Sequence, residues 1–212
     1  MPKSAPRCRL YLQAPALITA KQQAQLARAL SAVQPACVLL TDNGEALEKV
    51  PETAIDRTID GVQGAGAACL VENIEAAAEL GADGVHIPAN LELYDRARAL
   101  LGASANIGAA CGRARHEAMR LAETGADYVA FGASVTALPA IHEAREILEL
   151  MTWWSEIFVI PCVAWNVETI ADAGAFADAG ADFIAPPPTI WDDDDAIERL
   201  VEMDRAIGRR AA

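Results

Sequence analysis

The sequence is poor in residues that several classes of protein need. Basic side chains are few: 17 Lys and Arg stand against 30 Asp and Glu, a net charge of −13, with an isoelectric point near 4.6. A surface of that sign repels nucleic acid and anionic membranes, so neither is an expected partner. No run of about 18 apolar residues occurs, and no membrane span is expected. The five cysteines, Cys8, Cys37, Cys69, Cys111 and Cys162, are odd in number and widely spaced, with no Cys-x-x-Cys pair. That pattern is neither a disulfide framework nor a zinc site, and no metal site is expected from it. Lys3, Arg7 and Arg9 before the apolar stretch Leu10 to Ala20 outline a secretory leader, but Gln13 and Pro15 interrupt it. The expected compartment is the cytoplasm.

What the chain has in quantity is core. Of 212 residues, 53% are hydrophobic and 22% charged, enough for one domain spanning residues 1–212. Alanine is roughly a fifth of the sequence, which favours closely packed helices. One local signal recurs: Gly81-Ala82-Asp83, Gly125-Ala126-Asp127 and Gly180-Ala181-Asp182 each close an alanine-rich helical stretch and open a short apolar run. The glycine ends the helix in the left-handed conformation and the next residues feed a strand.

Eight uniformly apolar runs follow from this reading: Leu10 to Gln13, Cys37 to Leu40, Ala67 to Val71, Gly84 to Ile87, Ile107 to Ala110, Tyr128 to Phe131, Phe158 to Ala164 and Phe183 to Pro186. Runs of that kind are parallel strands buried on both faces. Amphipathic helices fill the gaps, the second expected from about Pro51 to Gly64. About 26 residues per unit suit a closed (βα)8 TIM barrel. An open doubly wound sheet would show a Gly-rich nucleotide loop after its first strand, where this chain has Gln13-Ala14-Pro15-Ala16.

A barrel of this kind works at the carboxyl ends of its strands. The residues expected there that combine donors and acceptors are Glu72, Asn73, His86, Ser134 and Asn166, the candidate ligand-binding set. Each has a plainer reading. His86 could bond a backbone carbonyl, and Asn73 could cap the following helix. Cys111 near Arg113 is either a lowered-pKa thiol or an inert core residue. Asp192 to Asp195 suit a helix start better than a metal. Of Trp153 and Trp154, one ring is expected in the core and the other at an interface.

Leu80-Gly81-Ala82-Asp83-Gly84-Val85-His86-Ile87 resembles the fourth-strand signature of the thiamine phosphate synthase and thiazole tautomerase family. Gly125 to Gly132 resembles that family's sixth strand, and Ile160 to Ala164 with Ala179 to Asp182 its seventh and eighth. Arg9-Leu10-Tyr11-Leu12 also fits, so the resemblance runs over roughly residues 8 to 200. It implies a barrel transferase of thiamine biosynthesis that joins a hydroxymethylpyrimidine diphosphate to a thiazole phosphate, using magnesium.

The family's charged positions fall on other residues here. Its second-strand Gln-x-Arg-x-Lys lands on Leu39, Thr41 and Asn43, and its Asn-Asp on Glu72 and Asn73. Its Gly-Gln-Glu-Asp lands on Pro88-Ala89-Asn90-Leu91. The fifth-strand site becomes Ala110-Cys111-Gly112, the seventh-strand Gly-Gly becomes Asn166-Val167, and Pro186-Pro187-Pro188 removes backbone donors after the eighth strand. The resulting expectation is a family member with a diverged active site that binds a small non-phosphorylated ligand and lacks the magnesium and pyrophosphate chemistry. An active thiamine phosphate synthase is the first alternative, and a non-catalytic scaffold or regulatory protein the second. No cofactor is expected unless the synthase activity is retained, in which case it is magnesium. A homodimer is compatible with the sequence.

Overall fold

Strands rich in Val, Leu, Ile, Ala and Cys bury both faces only if one face meets helices and the other meets its own sheet. The computed structural model, which describes residues 7–16, 19–41, 52–132 and 141–208, satisfies both demands. The strands are β1 (Arg9–Pro15), β2 (Cys37–Thr41), β3 (Ala68–Val71), β4 (Gly84–Pro88), β5 (Asn106–Gly112), β6 (Tyr128–Gly132), β7 (Cys162–Trp165) and β8 (Phe183–Ala185). They alternate with α1 (Ala20–Val33), α2 (Glu52–Gly64), α3 (Ile74–Leu80), α4 (Leu91–Leu101), α5 (Arg115–Thr124), α6 (Ile141–Ile157), α7 (Ile170–Asp178) and α8 (Ala196–Ile207), with a 3-10 turn at Pro188–Asp192 before α8. Each strand pairs in parallel with the next, and β8 returns to β1 through Arg9 with Phe183 and Leu10 with Ile184. The expected TIM barrel is the observed one.

Alternation along the strands sorts the core into two layers. Leu10, Leu12, Val38, Leu40, Val85, Ile87, Ile107, Val129 and Ile184 face outward into the large helix-lined core. Tyr11, Leu39, Leu70, Tyr128, Ala130, Val163 and Ala185 face the barrel axis.

The repeated Gly-Ala-Asp has a defined job in this architecture. Gly81, Gly125 and Gly180 sit at φ +66°, +108° and +106°, so each turns the chain in a conformation that favours glycine. The carboxylate two residues later accepts the backbone N–H that opens the preceding strand: Asp83 from Cys69 at 2.7 Å, Asp127 from Ile107 at 2.8 Å, Asp182 from Cys162 at 2.9 Å. The same aspartates donate their own N–H to the carbonyls of those residues at 2.8, 2.9 and 3.0 Å. Each clamp ties β3, β5 or β7 to its successor at the amino-terminal end of the barrel. The motif therefore belongs to the face opposite the expected site.

The seventh strand is shorter than expected, starting at Cys162 rather than Phe158. Residues 158–161 stay with α6: Phe158 stacks on Trp154 at 4.0 Å, and the Trp154 indole N–H donates to the Ile160 carbonyl at 2.8 Å. Trp154 is buried, while Trp153 is half-buried under the Arg115 guanidinium. No helix among the described residues is long and apolar enough to cross a membrane.

Candidate functional site

Four strands send a ring into the barrel axis. Tyr11 comes from β1, His86 from β4, Tyr128 from β6 and Trp165 from the last position of β7. The Tyr11 and Tyr128 hydroxyls lie 2.9 Å apart, and the Tyr128 hydroxyl is 2.9 Å from His86 Nδ1. The His86 ring runs nearly parallel to the Trp165 indole, 4.5 Å between centroids and 9° between planes. Tyr11 meets the same indole edge-on at 5.3 Å. Glycines make the room: a Cβ on Gly108 would lie 1.9 Å from the Tyr128 ring, and one on Gly132 would lie 2.6 Å from Trp165 Cβ.

The electrostatics of this cluster are those of a neutral chain. Burial pushes the His86 pKa down to about 3, because an imidazolium cannot be solvated there. Burial likewise raises both tyrosines well above the usual phenol value, and the Glu72 charge adds to the rise at Tyr11. Two proton arrangements fit the distances. Either Tyr128 donates to His86 Nδ1, or His86 Nδ1–H donates to Tyr128, which then donates to Tyr11. In both, His86 Nε2 is buried without a partner among the described residues. An unpaired buried polar atom of this kind costs about 1–3 kcal/mol.

A second seam closes the mouth between β7, β8 and β1. The Gln13 carboxamide N–H donates to Asn166 Oδ1 at 3.1 Å and to the Pro186 carbonyl at 2.9 Å. The Gln13 carbonyl accepts from the buried Trp191 indole. Asn166 holds φ +58°, a left-handed backbone that Asn tolerates better than other non-glycine residues. The turn after β7 thus keeps a glycine-like conformation with an asparagine in it.

Four of the five expected site residues lie among the described residues. His86 is buried on the axis, Asn166 lies in the seam with Gln13, and Glu72 is exposed at the end of β3. Asn73 caps α3, its Oδ1 accepting from the Ala76 N–H at 2.8 Å, and Asn90 caps α4 in the same way. Ser134 lies outside the described residues. Tyr11, Tyr128 and Trp165 were not in the expected set. Tyr11 and Tyr128 read as ordinary strand residues, and only the in-out alternation carries a signal that they share a face with His86.

Other candidates resolve toward the structural reading. Burial, with the Glu117 charge, pushes the Cys111 thiol up to about 12, so it is an inert core residue. Arg113 pairs with Glu146 on α6 at 3.0 Å, both side chains exposed. Asp193 pairs with Arg199, and Asp194 with Lys21 at 2.7 Å. Among the described residues no group of three or more His, Cys, Asp or Glu is placed to hold a metal. Magnesium takes one or two carboxylates together with substrate phosphates, and Glu72, which directly follows β3, is a carboxylate at a strand end.

Comparison with known proteins covers nearly the whole barrel. The family profile described as thiamine monophosphate synthase matches residues 11–187. The thiamine-phosphate synthase of Rhodospirillum centenum is 38% identical over 190 residues, 87% of this chain and 89% of that protein. That of Hyphomonas neptunium is 35% identical over 196 residues, covering 90% and 89%. Among solved structures, thiamine phosphate pyrophosphorylase from Pyrococcus furiosus superimposes with a TM-score of 0.70, covering 94% of this chain and 95% of that one, at 19% identity, a likeness of fold. These relatives overturn the expectation of a member that has left the synthase chemistry for a non-phosphorylated ligand. That expectation weighed a few substituted strand-end positions against a family pattern, whereas the similarity to synthases extends through both halves of the barrel. The transferase of thiamine biosynthesis, the first alternative, is the reading they support, and the chain belongs to the thiamine monophosphate synthase family.

Proposed function

We propose that this protein is an active thiamine-phosphate synthase, joining hydroxymethylpyrimidine diphosphate to a thiazole phosphate and releasing pyrophosphate. The observation that carries the reading is the 38% identity, over 87% of the chain, to a protein of that name. The barrel mouth offers chemistry suited to one half of it. A pyrimidine is a flat, polar aromatic ring, and the axis holds a neutral His86 beside Trp165, with the Gln13 and Asn166 carboxamides at the rim. A neutral imidazole neither repels nor titrates against a heteroaromatic ring nitrogen at physiological pH.

Glu72, Asn73, His86, Ser134 and Asn166 are the residues we assign to the ligand site. In the reaction they bind and orient: His86 supports the ring side of the site from beneath Trp165 with Asn166 beside it, Glu72 and Asn73 serve the strand ends where the two substrates meet, and Ser134 is assigned from the sequence. Departure of a diphosphate requires positive charge nearby, and these five side chains, with His86 neutral, carry none. We further infer a cytoplasmic enzyme acting on free small molecules, which suits five buried cysteines outside any disulfide, with a homodimer as its assembly state.

The test mixes both substrates with the pure protein and magnesium chloride and follows thiamine phosphate by fluorescence after oxidation. Turnover in the ordinary enzyme range, on the order of 1 per second or more, is expected. Absence of product with both substrates saturating overturns the proposal.

A further inference from the structure

A ring at the mouth of a barrel is useful to a substrate when it is held rigidly and keeps one face free. Trp165 is held by neighbouring rings and keeps part of its surface exposed. It is the last residue of β7, and it is half-buried, whereas the His86 ring it covers is only 5% exposed. Trp165 is therefore the more exposed partner of this stack. Beneath it the His86 ring lies parallel at 4.5 Å, and the Tyr11 ring packs against the indole at 67° with 5.3 Å between centroids. Beside it Gly132 has no side chain, and a Cβ there would stand 2.5 Å from the Trp165 carbonyl oxygen. An indole so pinned loses little further freedom when a ligand stacks on it, which is what makes a preformed aromatic face an efficient anchor.

We propose that Trp165 is the stacking platform of the substrate site, the indole face turned away from His86 receiving the flat heteroaromatic ring of the pyrimidine substrate. The inference rests on the synthase reading for the identity of that substrate. Trp165 sets the depth at which the ring stops, above the Tyr11–Tyr128–His86 chain, and it leaves the substrate's phosphate-bearing arm at the rim. Its role is specificity for a planar ring and not the transfer step, so it is expected to govern KM and leave kcat nearly alone.

The experiment has a binding arm and a kinetic arm. In the first, indole fluorescence is followed while hydroxymethylpyrimidine diphosphate is added to the wild-type protein and to Trp165→Phe. Saturable quenching is expected in the wild type, and its loss is expected in Trp165→Phe, where Trp153, Trp154 and Trp191 remain. In the second, Trp165→Leu is expected to raise KM for the pyrimidine substrate about tenfold, the scale of one base–aromatic stack. Trp165→Phe, which keeps a ring, is expected to stay within about threefold of the wild type, and thermal melts verify that each variant folds. Unchanged KM in Trp165→Leu, or quenching that persists in Trp165→Phe, overturns the platform. If the wild type makes no product, the synthase reading fails, and the fluorescence arm alone decides the platform: quenching that depends on Trp165 upholds it, and no quenching refutes it.

Discussion

Replacing Asp127 by Ala removes two contacts at the amino-terminal end of the barrel and touches nothing at the mouth. The first is the 2.8 Å hydrogen bond from the Ile107 N–H, a buried backbone donor at a fully buried residue. A hydrogen bond to a charged acceptor contributes about 1.5–3 kcal/mol, and more of that is lost when the donor is left buried and unpaired. The second is the 2.7 Å ion pair with Arg98, whose side chains are 24% and 40% exposed. Partly exposed pairs of that kind contribute about 0.2–1 kcal/mol. Arg98 keeps bonds to the Gly102 and Ala105 carbonyls at 3.1 and 2.8 Å, so it is not stranded.

The sum is a loss of about 3 kcal/mol, a fall in Tm of roughly 6–12 °C for a chain of this size. Asp127→Asn restores a neutral acceptor and is expected to recover about half of that loss. Urea denaturation with a common m-value measures both, and the kinetic constants of the folded variants are expected to match the wild type. A loss below about 0.5 kcal/mol for Asp127→Ala, or identical losses for Ala and Asn, refutes the clamp as a source of stability.

Two further outcomes follow from the axial cluster. The His86 pKa falls from 6.5 to about 3 on folding, so between those values the unfolded chain binds a proton that the folded one does not. Stability from neutral His86 is therefore fully present above about pH 6.5 and declines as pH falls, at about 1.4 kcal/mol per pH unit. Denaturation midpoints between pH 7 and pH 5 are expected to show that slope in the wild type and a shallower one in His86→Gln, and equal slopes refute it. Gly108→Ala puts a methyl group 1.9 Å from the Tyr128 ring, and is expected to cost at least about 1–3 kcal/mol by overpacking. It also displaces the Tyr128 hydroxyl from His86, so KM for the pyrimidine substrate is expected to rise; an unchanged melt refutes the crowding.

The barrel is legible along the chain itself. Strands buried on both faces leave a continuous apolar record, as in Cys37 to Leu40 and Tyr128 to Phe131, and Gly81, Gly125 and Gly180 mark the helix ends. Those signals are local, so they survive in a one-dimensional reading; the one strand whose start is misplaced by more than a residue, β7, was drawn out by Phe158 and Val159, whose β-propensity is overridden by packing of Phe158 on Trp154. The Asn73 cap was legible for the same reason: it acts within three residues of itself. The substituted strand ends were legible too, but their consequence was misjudged, because each position was weighed alone while the relationship to synthases is a property of the whole chain.

The site was decided by closure. Tyr11 and Tyr128 are 117 positions apart, and His86 is 42 from Tyr128; no local pattern links them. They meet because eight tilted strands return β8 to β1 and turn alternate residues toward one axis. Gln13 and Asn166 join across 153 positions for the same reason. A side chain's chemistry is written at its own position, but its partners, its burial and hence its protonation are set by which strands the closed sheet brings within reach.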